Sequence, residues 1–164
     1  MAMILMMGSL VLTSCDDDDD ETPPATTNPE TIITDTLDWT ADEIQRINGS
    51  LVIEDGGLLR IEAGTIIKAA AGQGTQASAL VVAKGGRIEA NGTAAMPIIF
   101  TSASDNIQLG DDMGSNLERT DNQTWGGVII LGNAPISAED GNDETNIEGI
   151  PVEAGYGLYG GDDE

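Results

Sequence analysis

Two stretches of the chain decide its fold: Arg60-Ile-Glu-Ala-Gly-Thr-Ile-Ile67 is repeated as Arg87-Ile-Glu-Ala-Asn-Gly-Thr93, so that Ile61 and Ile88 lie 27 residues apart. Pro97-Ile-Ile-Phe100 completes the second copy, and Val128-Ile-Ile-Leu-Gly-Asn-Ala-Pro-Ile136 forms a weaker third element. Repeats of about this length usually mark solenoids or propellers, in which each unit buries its apolar face by stacking on a neighbour. We interpret the unit as one coil of a parallel β-helix.

The alternation within each copy predicts which side chains point inward. Ile61 and Ala63 are expected to face the interior while Arg60 and Glu62 face water, and the copy at 87–90 repeats this pattern. The two Arg-Ile-Glu-Ala stretches are expected to stack in register, about 4.8 Å apart. The alternative is a β-sandwich with a coincidental repeat, because sandwiches also contain short alternating strands.

Short runs rich in Ile and Val, most of them closed by Gly or Asn, predict the strands. They lie at 51–53, 58–63, 65–69, 79–83, 87–90, 97–102, 127–131 and 146–150. Many short strands separated by turn residues predict an all-β protein. The segment 40–47 is helix-like, with Thr40 and Glu43 in a capping-box pattern, but it is shorter than a stable isolated helix of about 12 residues.

The N-terminus carries a candidate lipidation site. Leu12, Thr13 and Ser14 before Cys15 resemble a bacterial lipobox, in which the cysteine receives a diacylglyceryl group and the preceding segment is cleaved. The uncharged apolar run at 3–12 is shorter than the roughly 20 residues of a spanning helix. It suits a signal peptide at 1–14, although no Lys or Arg precedes it. The prediction is a membrane anchor at Cys15, and a lone core cysteine is the alternative.

An acidic run follows at once, at positions 16–21. Adjacent like charges ordinarily form a solvated, unpacked block. Directly behind a lipidated cysteine, the run resembles the export signal of Bacteroidota lipoproteins, which implies a lipid-anchored, surface-exposed protein of the outer membrane. Retention facing the periplasm is the alternative. The Pro- and Thr-rich stretch that follows predicts an extended tether, so we expect an anchor and tether at 15–31 and a β-helix domain at 32–164.

Composition limits the partners and the chemistry. The chain carries 29 acidic and 6 basic residues, a net charge of −23. Nucleic acid and anionic headgroups would be repelled, whereas cations, neutral glycans and basic protein surfaces fit. The chain has no His and one Cys, which excludes zinc sites and Ser-His-Asp or Cys-His catalysis.

A family resemblance covers nearly everything from residue 35 onward. Trp39-Thr-Ala-Asp42, the two Arg-Ile-Glu-Ala repeats, Trp125-Gly-Gly-Val-Ile-Ile-Leu-Gly-Asn-Ala-Pro-Ile136 and Ile147-Glu-Gly-Ile150 resemble a family of Bacteroidota surface lipoproteins predicted to form right-handed parallel β-helices. The resemblance implies the fold but no particular activity. Its members typically have further coils after a segment like Tyr159-Gly-Gly-Asp162, which implies that this chain is an N-terminal fragment with an incomplete β-helix.

Catalysis is the weaker expectation. Parallel β-helices often host polysaccharide lyases and hydrolases, but that similarity concerns the fold alone. Glycoside hydrolysis needs two carboxylates at a defined separation, and the denser acidic groups here lie in Gly- and Asn-rich connections. We therefore expect a non-catalytic binding or structural module, with a glycan or matrix ligand and no required cofactor. A fragment of a β-helix polysaccharide lyase or hydrolase is the alternative.

Two acidic connections are candidate calcium sites. Asp140, Asn142, Asp143 and Glu144 supply closely spaced carboxylate and amide oxygens on a glycine-containing loop, as a hard cation requires. The segment with Asp105-Asn106 and Asp111-Asp112 has the same character. Solvated turns are the competing interpretation of both.

Four further residues are candidate modification or ligand sites. Asp35-Thr36-Leu37 resembles the Asp-Thr-aliphatic O-glycosylation motif of Bacteroidota proteins, which predicts modification of Thr36. Trp125, Tyr156 and Tyr159 are candidates for stacking on sugars, or else they cap the ends of a thin core.

Overall fold

The chain winds into coils of three short strands in the computed structural model, which describes residues 30–137 and 141–161. The strands are β1 (Glu30–Ile33), β2 (Thr36–Trp39), β3 (Gln45–Ile47), β4 (Ser50–Ile53), β5 (Leu58–Ile61), β6 (Ile66–Ala69), β7 (Ala79–Val82), β8 (Arg87–Ala90), β9 (Ile99–Ser102), β10 (Gly127–Ile130), β11 (Glu144–Asn146) and β12 (Leu158–Gly160). Single 3₁₀ turns lie at Gly74–Gln76 and Val152–Ala154. No helix within 30–137 and 141–161 is long and apolar enough to cross a bilayer.

Three parallel sheets run along the stack of coils. Sheet 1 contains β1, β4, β7 and β10, sheet 2 contains β2, β5 and β8, and sheet 3 contains β3, β6 and β9. Each strand pairs in parallel with the strand one coil later. The predicted parallel β-helix is confirmed, and the β-sandwich alternative is wrong. The helix-like segment 40–47 forms a turn followed by β3, because its apolar side chains belong to the coil interior.

The register between the two repeat copies differs from the prediction by two residues. Leu59 lies opposite Ile88, and Arg60 lies opposite Glu89. Because side chains alternate with a period of two, this shift keeps Ile61 and Ile88 facing inward and Arg60 facing outward, as predicted. Of the two alanines predicted to face inward, Ala63 lies in the turn after β5 and Ala90 is exposed. The shift also places opposite charges side by side: Arg60 Nη1 lies 2.8 Å from Asp38 Oδ1, and its Nε lies 3.3 Å from Glu89 Oε2. The predicted register would have paired Arg60 with Arg87, and directly opposed like charges are destabilising.

The interior between the three sheets is a stack of apolar, mostly aliphatic side chains. Its most deeply buried members alternate along strands of successive coils, as expected for a pleated backbone. The buried set is Trp39, Ile47, Leu51, Ile53, Leu59, Ile61, Ile67, Ala69, Leu80 and Val82. The inward row of sheet 1 continues to Val128 and Ile130 on β10, where the side chains are 39% and 65% exposed.

Sheet 1 is covered on its outer face as well. Val52, Ala79, Val81 and Ala83 pack there with Leu131 and Tyr156 from later segments, in a second core separate from the interior. The cover comes from the antiparallel pair β11 and β12 and the loop between them. The prediction of a strand at 146–150 is therefore wrong, because most of this segment is loop. Its Ile147 and Ile150 pack onto the outer face of sheet 1 and do not extend a coil.

Two glycine pairs form the corner between sheets 1 and 2. Gly56 and Gly85 have φ values of 82°, a conformation that L side chains rarely adopt. At Gly57 a Cβ would lie 2.3 Å from the Ile33 carbonyl oxygen, and at Gly86 it would lie 2.1 Å from that of Ile53. The backbone of each coil therefore approaches the coil below too closely at this corner for any other residue.

Candidate ligand-binding groove

A groove of about 450 Å³ lies on the outer face of sheet 1, between the sheet and the cover. The small side chains of Ala79 and Val81 on β7 and Ile129 on β10 form its floor. Neutral polar residues, glycines, further apolar residues, two aromatic residues and one charged residue complete the lining: Ser50, Gly72, Gln73, Gly74, Thr75, Ala77, Gln123, Trp125, Gly126, Glu148, Gly149, Ile150, Pro151 and Tyr156. This combination of an apolar floor with a few polar groups is typical of small-ligand sites.

The strand pairing in sheet 1 explains which side chains form the floor of the groove. Val81 pairs with Ile129 across the β7–β10 ladder, so both side chains point to the same outer face. Ser50 pairs with Ala79 one coil earlier, and both of these residues also line the groove. Gly126 closes against this floor: a Cβ at this position would lie 3.0 Å from the Ala79 Cβ, and its amide N–H donates to the Ser78 carbonyl at 2.8 Å.

Trp125 forms one wall of the groove, directly before Gly126. Its side chain is half-buried and packs partly against the interior core. The following Gly127 has a φ of 84°, which allows the chain to turn from the wall into β10. Trp125 is thus held by the core on one side while part of the indole contributes to the groove.

Tyr156 forms the opposite boundary, where the cover meets sheet 1. Its side chain is 8% exposed and belongs to the second core. Burial raises the pKa of the Tyr156 hydroxyl, partly offset by a hydrogen bond with the Ser50 side chain, while Glu30 and Glu54 raise it further. The phenol is therefore neutral at physiological pH and fixes the cover against β4.

The three predicted sugar-stacking residues are only partly brought together. Trp125 and Tyr156 both line the groove. Tyr159 packs against the second core instead and is not a lining residue. Of the two lining aromatics, Trp125 has the more accessible ring, because Tyr156 is almost completely covered. Stacking of Trp125 on a sugar stays a prediction.

The predicted calcium loop at 140–144 lies only partly within the described residues. Asp140 is outside them. Glu144 pairs with the Lys84 ammonium, which also donates to the Gly160 carbonyl at 2.8 Å. The Asp143 carbonyl accepts the Gly161 N–H at 2.7 Å, and Asn142 also makes interactions. Within the described part of the chain, no three acidic, His or Cys side chains cluster as metal ligands do, so calcium binding stays a prediction.

The second acidic segment organises the long connection between β9 and β10. Asp105 accepts hydrogen bonds from the Thr101 hydroxyl at 2.6 Å and from the Ile107 N–H at 2.9 Å. The buried Lys68 donates to the Asp105 carbonyl at 2.8 Å. Asp111 accepts from the Gln108 N–H at 2.9 Å. These carboxylates satisfy loop donors, which is the usual role of Asp in turns.

Thr36 and Cys15 are the two predicted modification sites. Thr36 is exposed as the first residue of β2, so its hydroxyl is accessible to modification. Cys15 lies outside the described residues. O-glycosylation of the first and lipidation of the second stay predictions.

A second, smaller groove of about 300 Å³ lies on the other side of Tyr156. It contains the consecutive carboxylates Glu54 and Asp55, together with Lys84, Gly155 and Leu158. The Asp55 carboxylate rests against the Gly85 backbone, since a Cβ at Gly85 would lie 2.3 Å from Asp55 Oδ1. Two carboxylates and an ammonium therefore share this groove with one aromatic ring.

The sequence did not indicate most of the residues that line the main groove. The rim at 72–75, the polar Gln123 and the single carboxylate Glu148 come from segments that carry no motif. They meet only because the segment between β11 and β12 folds back onto sheet 1. An amphipathic pattern in that segment, with Ile147 and Ile150 beside exposed Glu148, was the available signal.

Comparison with known proteins places this chain in a protein family. A family model described as a pectate-lyase-like β-helix domain matches residues 31–164. Neither the curated proteins nor the solved structures give a match to the chain. The matched range includes both grooves and the whole parallel stack from Thr31 onward.

Proposed function

This chain belongs to the family of pectate-lyase-like β-helix domains, and from that membership and the main groove we propose that it is a non-catalytic glycan-binding module. The observation that carries the proposal is the half-buried Trp125 beside the apolar floor of Ala79, Val81 and Ile129. An aromatic wall held by the core is a low-entropy contact for the apolar face of a sugar ring. Ser50 and other neutral polar lining groups supply partners for sugar hydroxyls.

The acidic content of the groove supports binding without hydrolysis. Glu148 is the one carboxylate among its lining residues. Glycoside hydrolysis generally uses a pair of carboxylates on either side of the scissile bond. A single exposed carboxylate can accept hydrogen bonds from sugar hydroxyls, which suits recognition.

The test is binding of the purified chain to an array of plant, algal and bacterial oligosaccharides, followed by titration of each hit. Replacing the indole in Trp125→Leu keeps an apolar contact with the core, and we expect it to weaken binding about tenfold or more, as for other aromatic anchors. Trp125→Tyr should restore much of the affinity. Met113→Ala removes a large apolar side chain that is 77% exposed and outside the groove, and it should leave binding unchanged.

Melting curves separate a lost ligand contact from a lost fold in these variants. A Trp125→Leu protein that melts cooperatively near the parent temperature and still binds every hit would contradict the proposal.

We further propose that the protein is a Bacteroidota lipoprotein anchored through Cys15 and displayed on the outer surface of the outer membrane. The lipobox-like residues before Cys15 and the acidic run at 16–21 support this. Cells fed an alkyne-tagged fatty acid should label the parent and not Cys15→Ser, and protease added to intact cells should remove the parent. Labelling that is equal in both proteins would contradict the anchor.

A polysaccharide lyase or hydrolase is the second candidate, and the smaller groove favours it. Glu54 and Asp55 lie there with Lys84 beside Tyr156, which offers carboxylates and a cation at one place. Incubation of each array hit with the chain would release new reducing ends or unsaturated products if this candidate holds. Such a release, abolished by Glu54→Gln or Asp55→Asn, would replace the binding proposal.

A further inference from the structure

We infer that the main groove selects uncharged glycans and rejects anionic ones, including uronate chains of the pectate type. This inference rests on the proposed glycan-binding function and names the ligand class of the same groove.

The lining of the main groove carries a negative charge. Glu148 is exposed and is the only charged side chain among the lining residues. A uronate or sulfate bound beside this carboxylate would be repelled, because unit charges at about 4 Å repel by about 1 kcal/mol in water and by more where water is partly excluded. The remaining lining side chains that can hydrogen-bond are neutral, which suits sugar hydroxyls.

The basic residues of the chain lie outside the main groove. Anionic sugars are normally held by Arg or Lys, with Arg favoured for bidentate contact with carboxylates. All 6 basic residues of the chain lie within the described ranges, and none of them lines the main groove. They are Arg46, Arg60, Lys68, Lys84, Arg87 and Arg119.

Three of these six basic residues already have polar partners elsewhere. Lys84 pairs with Glu144 and donates to the Gly160 carbonyl. Lys68 is buried and bonded to the Asp105 carbonyl. Arg60 lies on the outer face of sheet 2 and donates hydrogen bonds to the Glu89 and Asp38 carboxylates, which raise its pKa and keep it charged. Moving Lys84, Lys68 or Arg60 toward a bound anion would require breaking these contacts.

The net charge of the whole chain acts in the same direction. With 29 acidic and 6 basic residues the chain carries −23, so a polyanion is repelled before it reaches the groove. Salt screens this long-range part over about 8 Å at physiological ionic strength. The local repulsion from Glu148 persists at that salt concentration, which allows the two contributions to be separated.

The experiment uses an array with uncharged, uronate-containing and sulfated oligosaccharides at physiological salt, including homogalacturonan in both its acid and its fully methyl-esterified form. The parent chain is compared with Trp125→Leu, with Glu148→Lys and with Glu118→Lys. The last variant makes the same charge change at an exposed site outside the groove. We expect parent hits among uncharged sugars, lost in Trp125→Leu, and anionic analogues bound about tenfold more weakly.

Glu148→Lys should reduce or reverse this preference, and Glu118→Lys should not. Anionic hits in the parent that depend on Trp125 would leave the proposed function standing and overturn the inference. An unchanged preference in Glu148→Lys would also overturn it. Hits that do not depend on Trp125, or no hits at all, would contradict the proposed function itself and the inference with it.

Discussion

At the scale of single residues, polar side chains here mainly complete the backbone hydrogen bonding of turns. Asp105 is the clearest case. Burial alone would raise the pKa of its carboxyl, but the hydrogen bonds from Thr101 and the Ile107 N–H, with the charge of Lys68, lower it below its ordinary value. The charged carboxylate therefore stabilises the connection between β9 and β10, which supplies Trp125 to the groove.

The lowered pKa of Asp105 gives a pH-dependent prediction. A carboxyl with a folded pKa below its unfolded value near 3.9 contributes stability above that pH, and the contribution is lost as the pH falls through the folded value. Asp105→Asn should therefore lower the free energy of unfolding measured in urea at pH 7, by about 1 kcal/mol or less because solvent screens this partly exposed carboxylate. The difference from the parent should shrink as the pH approaches 3.

Asp112→Asn, at an exposed position in the same connection, serves as the control and should cost little at either pH. A penalty for Asp105→Asn that is constant from pH 7 to pH 3 would mean that the charge of Asp105 does not stabilise the fold.

At the scale of strands, matching side chains of successive coils form continuous rows. Ile53 on β4, Val82 on β7 and Ile130 on β10 occupy one row of sheet 1. Their exposed fractions are 0%, 2% and 65%. The same residue type thus occurs at a fully packed position and at an open one, which separates the effect of packing from that of side-chain chemistry.

Ile53→Ala and Ile130→Ala are the matched pair for this row. We expect Ile53→Ala to lower the free energy of unfolding by about 2–5 kcal/mol, because it leaves a cavity in the interior. Ile130→Ala should change it by about 0.5 kcal/mol or less. Urea titration followed by circular dichroism measures both, and equal losses would show that β10 is packed as deeply as β4.

The sequence predicted the strands of the second and third coils well, because short apolar or alternating runs lie there between turn residues. It did not predict β2 and β3, in which Asp38 and Arg46 interrupt the apolar pattern, or β1, whose first two residues fall in the predicted tether at 15–31. The sequence also did not predict the cover as a separate element. A short apolar segment has the same sequence pattern whether it extends a coil or packs on the outside of one. The groove depends on that cover and so could not be predicted.

The two-residue error in register has an identifiable source. The Arg-Ile-Glu-Ala repeat has a spacing of 27 residues, whereas the pairs Gly56-Gly57 and Gly85-Gly86 have a spacing of 29. The observed register follows the glycines, since only they fit the corner where neighbouring coils nearly touch. Steric necessity at a corner therefore fixes the register more strictly than similarity between outward-facing strands does.

At the scale of the whole molecule, a thin core supports a large excess of negative charge. The interior holds the coils together, while the net charge of −23 opposes any compact state by self-repulsion. The described ion pairs, such as Arg60 with Asp38, are exposed and neutralise only part of this charge. Screening should therefore stabilise the fold more than it weakens these pairs.

We expect the melting temperature to rise as sodium chloride increases from about 10 mM to about 500 mM, over which the screening length falls severalfold. Replacing the exposed acids Asp112, Glu118 and Glu153 by amides should raise the melting temperature at low salt and flatten its salt dependence. A melting temperature that falls with salt would show that ion pairs dominate over net repulsion.

Successive coils stack in parallel with Arg60 opposite Glu89, and disulfide trapping measures this register directly. In a Cys15→Ser background, the double variant Arg60→Cys with Glu89→Cys places the two Cα atoms about 5 Å apart, within the range that a disulfide spans. The double variant Glu62→Cys with Glu89→Cys tests the alternative register, in which the two sequence repeats would align. In the observed register these two Cα atoms are about 8 Å apart, which is too far for a disulfide. We expect rapid oxidation of the first pair alone, seen by mass spectrometry of peptide digests. Efficient oxidation of the second pair without the first would contradict it.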